Sequence, residues 1–448
     1  MNSNIKKFDS KEAFDAYRAT DGWAYPSVNY ITNNEESSIH YNNEFIMEWN
    51  DGDVSKTPSF YGDLSHDWFK NWVDGASKPC EIKKDGTDFA YIKMSGNNVA
   101  DWSLREGDTA SHYDTNDKEN YFQMTEIENV NVGLFKDTSK GTFQVRFNFD
   151  KGCPEGFHKW FPNATNGKKL FGRYDIAPIT ACSSAGTEGI LCCKSSSQGN
   201  GTDTGTTYTK GNWRASYMFN GINYHNTNMD ATPKAAGYKF MELTYWEHLV
   251  MSYIFCAYYK TFDSQNVFKG FASNYNSGGN GNYTAGKDTD SILTPHGSAA
   301  ASGQEASADA AYKFMHLENP LHGKQWIFGT GWVGHGTKYY MTFDDVKANA
   351  AVTFDKDQAD ITGTIPSMSS NYISKIDLYG VPTKADSSGT SSTGFYDGAW
   401  SDTASNSRIA YLGGSSGSGT LDGVFARAFD YDASSGTWNL RGRLTMNR

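Results

Sequence analysis

The 448-residue chain has little of what marks several large classes of protein. It contains no run of Lys and Arg, and its formal net charge is −11, so the basic stripe that grips nucleic-acid phosphates is missing. No apolar stretch approaches the ~20 residues needed to span a bilayer, so membrane insertion is not expected. Met1 to Tyr17 is charged and lacks the apolar core of a secretory signal. The expected product is therefore a soluble chain made in the cytoplasm. Cysteine is scarce. Cys80, Cys153, Cys182, Cys192, Cys193 and Cys256 form no CxxC, and none follows Cys256. So few in so long a chain argue against a disulfide scaffold. Cys182 with Cys192 and Cys193 is the grouping that would suit a metal or redox centre, and buried thiols are the simpler reading. Histidine shows no i, i+4 pair and no HExxH, and neither GxSxG nor GxxxxGK[ST] occurs.

What is abundant is aromatic and small: 27 Tyr, 27 Phe, 12 Trp and 45 Gly. Rings fill sheet faces and Gly supplies turns, so this mixture suits a β-rich fold. Residues 1–55 read as an attachment segment. Asp9 and Glu12 have capping-box spacing ahead of Phe14 and Tyr17, and short extended pieces follow at Trp23 to Ile31 and Ser38 to Asn42. Residues 56–150 read as a β-rich module. Its clearest strands are Asp88 to Met94 and Gly141 to Phe149, the second with Phe143, Val145, Phe147 and Phe149 on one face. From residue 151 the loops lengthen (Ser195 to Thr209, Asn274 to Gly286, Lys384 to Gly394), and aromatic strand fragments resume after each. One strong helix is expected where Thr244 and Glu247 make a capping box and Leu249, Val250, Tyr253, Ile254 and Ala257 recur at helical spacing. Glu247 and His248 read there as a cap and a surface histidine. Gly329 to Gly334 fits GxGxxG, but strand-like residues 338–343 follow instead of a helix, so a turn is expected and not a phosphate loop.

Four segments of the C-terminal two thirds occur in a telling order. They are Gly156-Phe-His-Lys-Trp-Phe161 with Gly172-Arg-Tyr174; Met241 to Glu247 with Tyr259 to Gln265; Leu317-Glu-Asn-Pro-Leu-His-Gly323 with Gln325 to Gly329; and Tyr411-Leu-Gly-Gly-Ser415, Gly423-Val-Phe425 and Trp438-Asn-Leu-Arg-Gly-Arg-Leu444. This order resembles the C-type-lectin-like domains of phage tail proteins, including variable proteins of diversity-generating retroelements, which share a core fold with formylglycine-generating enzymes. The start of the chain is similar to virion proteins in phages of gut Bacteroidetes.

The resemblance implies an α+β class: a β-rich N-terminal region followed by a C-type-lectin-like domain over 151–448, with long loops and one strong helix. Glu318, Asn319, Trp326, Gly413, Gly414, Trp438, Gly442 and Arg443 fall at motif positions and are expected to carry structure. Val424 to Phe429 and Trp438 to Leu444 are expected to pair as a hairpin. In the related variable proteins the last strands and their loops touch ligand. Carried to matching positions, this implicates Tyr396, Trp400, Tyr411, Phe429 and Tyr431, with Phe425 and Trp438 more readily read as core. Several departures matter. No cysteine pair lies late in the domain, so the oxidising chemistry of the formylglycine-generating relatives is not expected. Glu318-Asn-Pro320 has the wrong order for calcium-dependent sugar binding, Trp49-Asn-Asp51 lies outside the domain, and Trp400-Ser-Asp402 is a poor substitute. No cofactor and no metal are expected.

The function this implies is that of a non-enzymatic structural protein of the bacteriophage virion, a tail fibre or receptor-binding protein. Its expected partners are other virion proteins, a host-surface glycan or protein, and copies of itself, a trimer by the habit of fibres. Two other readings stay open: a head-fibre, capsid-decoration or tail-assembly component without a receptor, and a polysaccharide-degrading tail enzyme.

Overall fold

The computed structural model describes residues 43–50, 57–83, 88–109, 121–173, 176–178, 191–193, 213–214, 240–268, 275–276, 280–281, 294–298, 312–322, 326–348, 356–386, 397–403, 407–414, 421–431, 436–437 and 440–448. Its first part runs β1 (Glu44–Asn50), β2 (Ser59–Gly62), α1 (His66–Gly75), β3 (Ser77–Lys83), β4 (Phe89–Ser95), β5 (Val99–Arg105), β6 (Tyr121–Glu128), β7 (Asn131–Asp137), β8 (Thr142–Asn148), β9 (Phe157–Lys159) and β10 (Lys168–Gly172). The second part begins with β11 (Phe240–Glu242), α2 (Tyr245–Tyr259), β12 (Tyr312–Phe314), β13 (Leu317–Glu318), β14 (Trp326–His335), β15 (Lys338–Met341) and α3 (Asp345–Ala348). It continues through β16 (Ile361–Thr364), β17 (Met368–Ile376), β18 (Pro382–Asp386), β19 (Gly398–Ser401), β20 (Arg408–Leu412), β21 (Arg427–Phe429), β22 (Leu440–Arg441) and β23 (Leu444–Asn447).

Three sheets carry the architecture. A five-stranded sheet has the order β2-β1-β8-β7-β9, and a seven-stranded sheet has the order β11-β23-β10-β6-β3-β4-β5. The nine-stranded sheet runs β16-β15-β14-β20-β21-β19-β17-β18, with β22 alongside β14. Strands from both sides of residue 150 share the seven-stranded sheet.

Local chemistry explains each element. Along β8, Phe143, Val145 and Phe147 point inward by the two-residue period and meet α1, whose Phe69 lies 5.2 Å from Phe147 and stacks on Phe45 at 4.3 Å. Ser65 caps α1 by accepting from Trp68 N. The capping box of α2 is complete, since Thr244 accepts from Glu247 N and Glu247 accepts from Thr244 N. Lys260 ends this helix in the left-handed conformation, φ 57°. Tyr245 through Ala257 are all buried, because α2 sits where the sheets converge. Tyr253 meets Trp49 of β1 at 5.9 Å and Phe425 beside β21 at 5.5 Å, and Trp160 Nε1 donates to Glu247 O at 3.1 Å.

These observations correct several expectations. The fold is not α+β with one dominant helix: among the described residues strands hold 50% and helices 16%, the sheets curl, and there are three α-helices. The physical reason is that the short aromatic fragments between glycine-rich loops each find ladder partners, so the helices are guests within a strand framework. The expected hairpin does not form either. β21 pairs with β19 and β20, β22 lies parallel to β14, and β23 joins the other large sheet. The GxGxxG stretch is neither phosphate loop nor turn. It lies within β14, where the register shifts between Gly329 and Val333 and Gly331 adopts φ 76° against Ala348. His248 is wholly buried instead of at the surface, and its Nε2 lies 3.1 Å from Leu321 O. Cys80 and Cys256 are buried free thiols and Cys153 is free and exposed, while Cys182 and the side chains of Cys192 and Cys193 lie outside the described residues.

Candidate functional site

Alternation sorts the central strands of the nine-stranded sheet into two faces. Phe328, Tyr411, Ala428 and Trp400 are successive cross-strand partners on β14, β20, β21 and β19. The neighbouring row, Ile327, Leu412, Arg427 and Ala399, points the other way, toward α2 and the main core. On the first face Trp326, Phe328, Ile409, Tyr411, Ala426 and Ala428 form a separate apolar cluster against which Trp400 packs. The methyl groups of Ala426 and Ala428 leave room above them, and the Trp326 and Trp400 indoles meet there edge-to-face at 5.4 Å. Gly398 makes this possible, because a Cβ there would stand 2.5 Å from the Trp400 ring. Tyr431 stacks on Tyr411 at 5.1 Å and 19°, and it remains 41% exposed.

A charged rim borders these rings. The Arg408 guanidinium is buried, lies 3.1 Å from Asp402 Oδ1, and donates to Phe429 O and to Gly336 O. The Asp402 side chain is itself half-exposed. Beside Tyr431, burial and then the Asp402 charge push the Asp430 carboxyl above its ordinary range. An exposed phenol, a partly exposed indole and a carboxylate can together stack a flat apolar surface and accept hydroxyl or amide hydrogen bonds.

The sequence-derived site residues therefore divide. Trp400, Tyr411 and Tyr431 come together on one face. Phe429 does not join them: it turns inward and stacks on Trp332 at 4.1 Å. Phe425 is buried against Tyr253 and Phe262. Tyr396 and Trp438 lie outside the described residues. Sequence reasoning missed Arg408 and Asp430, and it met Asp402 only as part of the poor calcium pattern Trp400-Ser-Asp402; Asp430 had no signal beyond its place next to Tyr431, and Arg408 had none.

The motif residues gather around another point. Arg443 is fully buried and its Nη1 donates to Gly172 O at 2.6 Å and Arg173 O at 3.1 Å. Its Nη2 donates to Glu318 O at 2.7 Å and Asn319 O at 3.4 Å. Asn319, with φ 40°, accepts from Tyr312 N through its side chain and donates from its own N to Tyr312 O. Gly413 and Gly414 both have positive φ, and Cβ atoms there would fall 2.2 Å from Leu321 O and 2.0 Å from Asp422 Oδ1. Trp326 instead belongs to the aromatic face, and Gly442 is buried beside Arg443.

Among the described residues no group of three or more His, Cys, Asp or Glu is placed to hold a metal ion, and no helix is long and apolar enough to cross a membrane. A scan against protein-family models matches no family, and a search of curated proteins finds no match.

Proposed function

We propose that the chain is a non-enzymatic structural protein of a bacteriophage particle, a tail fibre or receptor-binding component that recognises the host surface through Trp400 and Tyr431, the latter backed by the buried Tyr411 ring. The observation that carries this reading is Tyr431. A large aromatic ring is held rigid by stacking yet left 41% exposed, which is the state of an interface anchor that loses little entropy on binding. The order of the sequence motifs supplies the viral context. In this reading the protein works as a homo-oligomer, a trimer in a fibre, and its ligand is a host-surface glycan or protein. Gold-labelled antibody raised against residues 151–448 should decorate the distal tail of purified particles. Label on the head or collar would replace recognition with an architectural role, and unlabelled particles would refute the virion assignment.

A further inference from the structure

Lys169, Glu247 and Asp345 meet in the interior, at 0%, 0% and 1% side-chain exposure. Lys169 Nζ touches Glu247 Oε1 and lies 2.5 Å from Asp345 Oδ2. The Asp345 carboxyl carbon is one C–O bond further, about 1.2 Å, so the amine stands within about 3.7 Å of it. That approaches the ~3–3.5 Å of a near-attack geometry. Each partner is fixed by its own element. Lys169 is on β10, paired on one side with β6 and on the other with β23, where Asn447 is its direct cross-strand neighbour. Glu247 is held in the capping box by Thr244 N at 2.9 Å, which leaves Oε1 to the lysine. Asp345 opens α3 behind a turn braced by Asp360, which accepts from Phe343 N and from Thr342 Oγ1. Asn163 donates to Asp345 Oδ1.

We infer that Lys169 and Asp345 condense to an intramolecular isopeptide bond, with Glu247 as the catalytic proton carrier. The reaction balances without an oxidant or co-reactant. Lys169 passes one ammonium proton to Glu247, which hands it to Asp345 Oδ2, and the freed amine lone pair forms the N–C bond at Cγ of the now neutral carboxyl group. Glu247 then relays a second proton from the nitrogen to the same oxygen, which departs as water. The product is a neutral secondary amide. Asn163 N–H is placed to hold the charge that develops on Oδ1 in the tetrahedral intermediate. The first transfer turns an ion pair into two neutral groups, a change that a water-free site favours. Burial accordingly drives Glu247 upward, toward its neutral acid, while the two carboxylates hold Lys169 protonated until the transfer. The bond would join positions 176 residues apart and lock the seven-stranded sheet to α3, the helix between β15 and β16 of the nine-stranded one. It does not depend on the proposed function.

Mass spectrometry of the full chain under denaturing conditions tests it directly. The expected chain is lighter than its sequence by one water, and digestion yields a branched peptide joining the segments around Lys169 and Asp345. Lys169 should also resist amine acetylation in denaturant. Glu247→Gln keeps the size and a hydrogen-bonding oxygen but cannot carry the proton, so it should have full mass. A wild-type chain of full mass, with Lys169 open to acetylation, overturns the inference whether or not the variant folds. A branch mapped to other residues overturns it as well, and a Glu247→Gln chain still one water lighter removes Glu247 from the reaction.

Discussion

Removing the Arg443 side chain should be among the most damaging single changes in the protein. Its guanidinium reaches four backbone carbonyls from two distant segments, at 2.6, 3.1, 2.7 and 3.4 Å, in a site with no exposure. The two short bonds are charge-assisted and contribute about 1.5–3 kcal/mol each, and the two longer ones add less. In Arg443→Ala the carbonyls of Gly172 and Glu318 lose that donor in a dry site, so the net loss is about 4 kcal/mol, a large part of the ~5–15 kcal/mol that holds a domain folded. Arg443→Lys keeps the charge but not the fork. It can restore one short bond and should lose about 2 kcal/mol. Guanidinium denaturation of the two variants and the parent reads this as a falling midpoint with an unchanged slope. An alanine variant within about 1 kcal/mol of the parent would refute the idea that this hub ties the two segments together.

Three further outcomes can be checked. The double change Trp400→Ala and Tyr431→Ala should weaken attachment to host cells about tenfold or more, as loss of interface anchors does, and leave the circular dichroism spectrum intact; normal attachment would rule out this face as the binding surface. Gly423→Ala places a Cβ 1.7 Å from Asp397 Oδ1, the carboxylate that accepts from Phe425 N through Oδ2, so thermal unfolding should show a loss of about 1–3 kcal/mol or more. Glu44 is buried and its carboxyl is pushed up from 4.5 to about 8, chiefly by burial and against the pull of Arg146. The folded chain then holds a proton that the unfolded chain releases above pH 4.5, so this contribution to stability is full in acid and disappears as pH rises to about 8. Glu44→Gln should flatten stability measured between pH 5 and 9, and an unchanged slope would show that Glu44 does not titrate in that window.

What the sequence disclosed depended on how local each signal was. The Thr244–Glu247 box and the alternation in β8 are short-range patterns, and both elements stand close to where those patterns put them. The face of a residue was legible only when its strand partners were. Tyr411 and Phe429 read alike as aromatic strand residues, yet cross-strand register sends one to each side of the sheet. His248 looked like a surface residue because helical spacing revealed one apolar stripe, whereas α2 is enclosed on all sides. The Lys169–Glu247–Asp345 meeting joins residues 78 and 176 positions apart and left no local trace. Pairing order was equally hidden, since β21 takes β19 and β20 as neighbours and not the segment that follows it.

The place of β23 has a consequence for how the molecule is made. It follows every other described strand in the chain, yet it sits inside the seven-stranded sheet, between β11 and β10. While the chain is being synthesised, β10 keeps one row of backbone donors and acceptors open until residues 444–447 emerge. At roughly 5–20 residues per second that interval lasts some tens of seconds. For that time the nascent chain carries an unpaired strand edge, the kind that recruits strands from other chains. Yield should therefore respond to translation speed, temperature and chaperone supply more strongly than the stability of the finished protein would indicate.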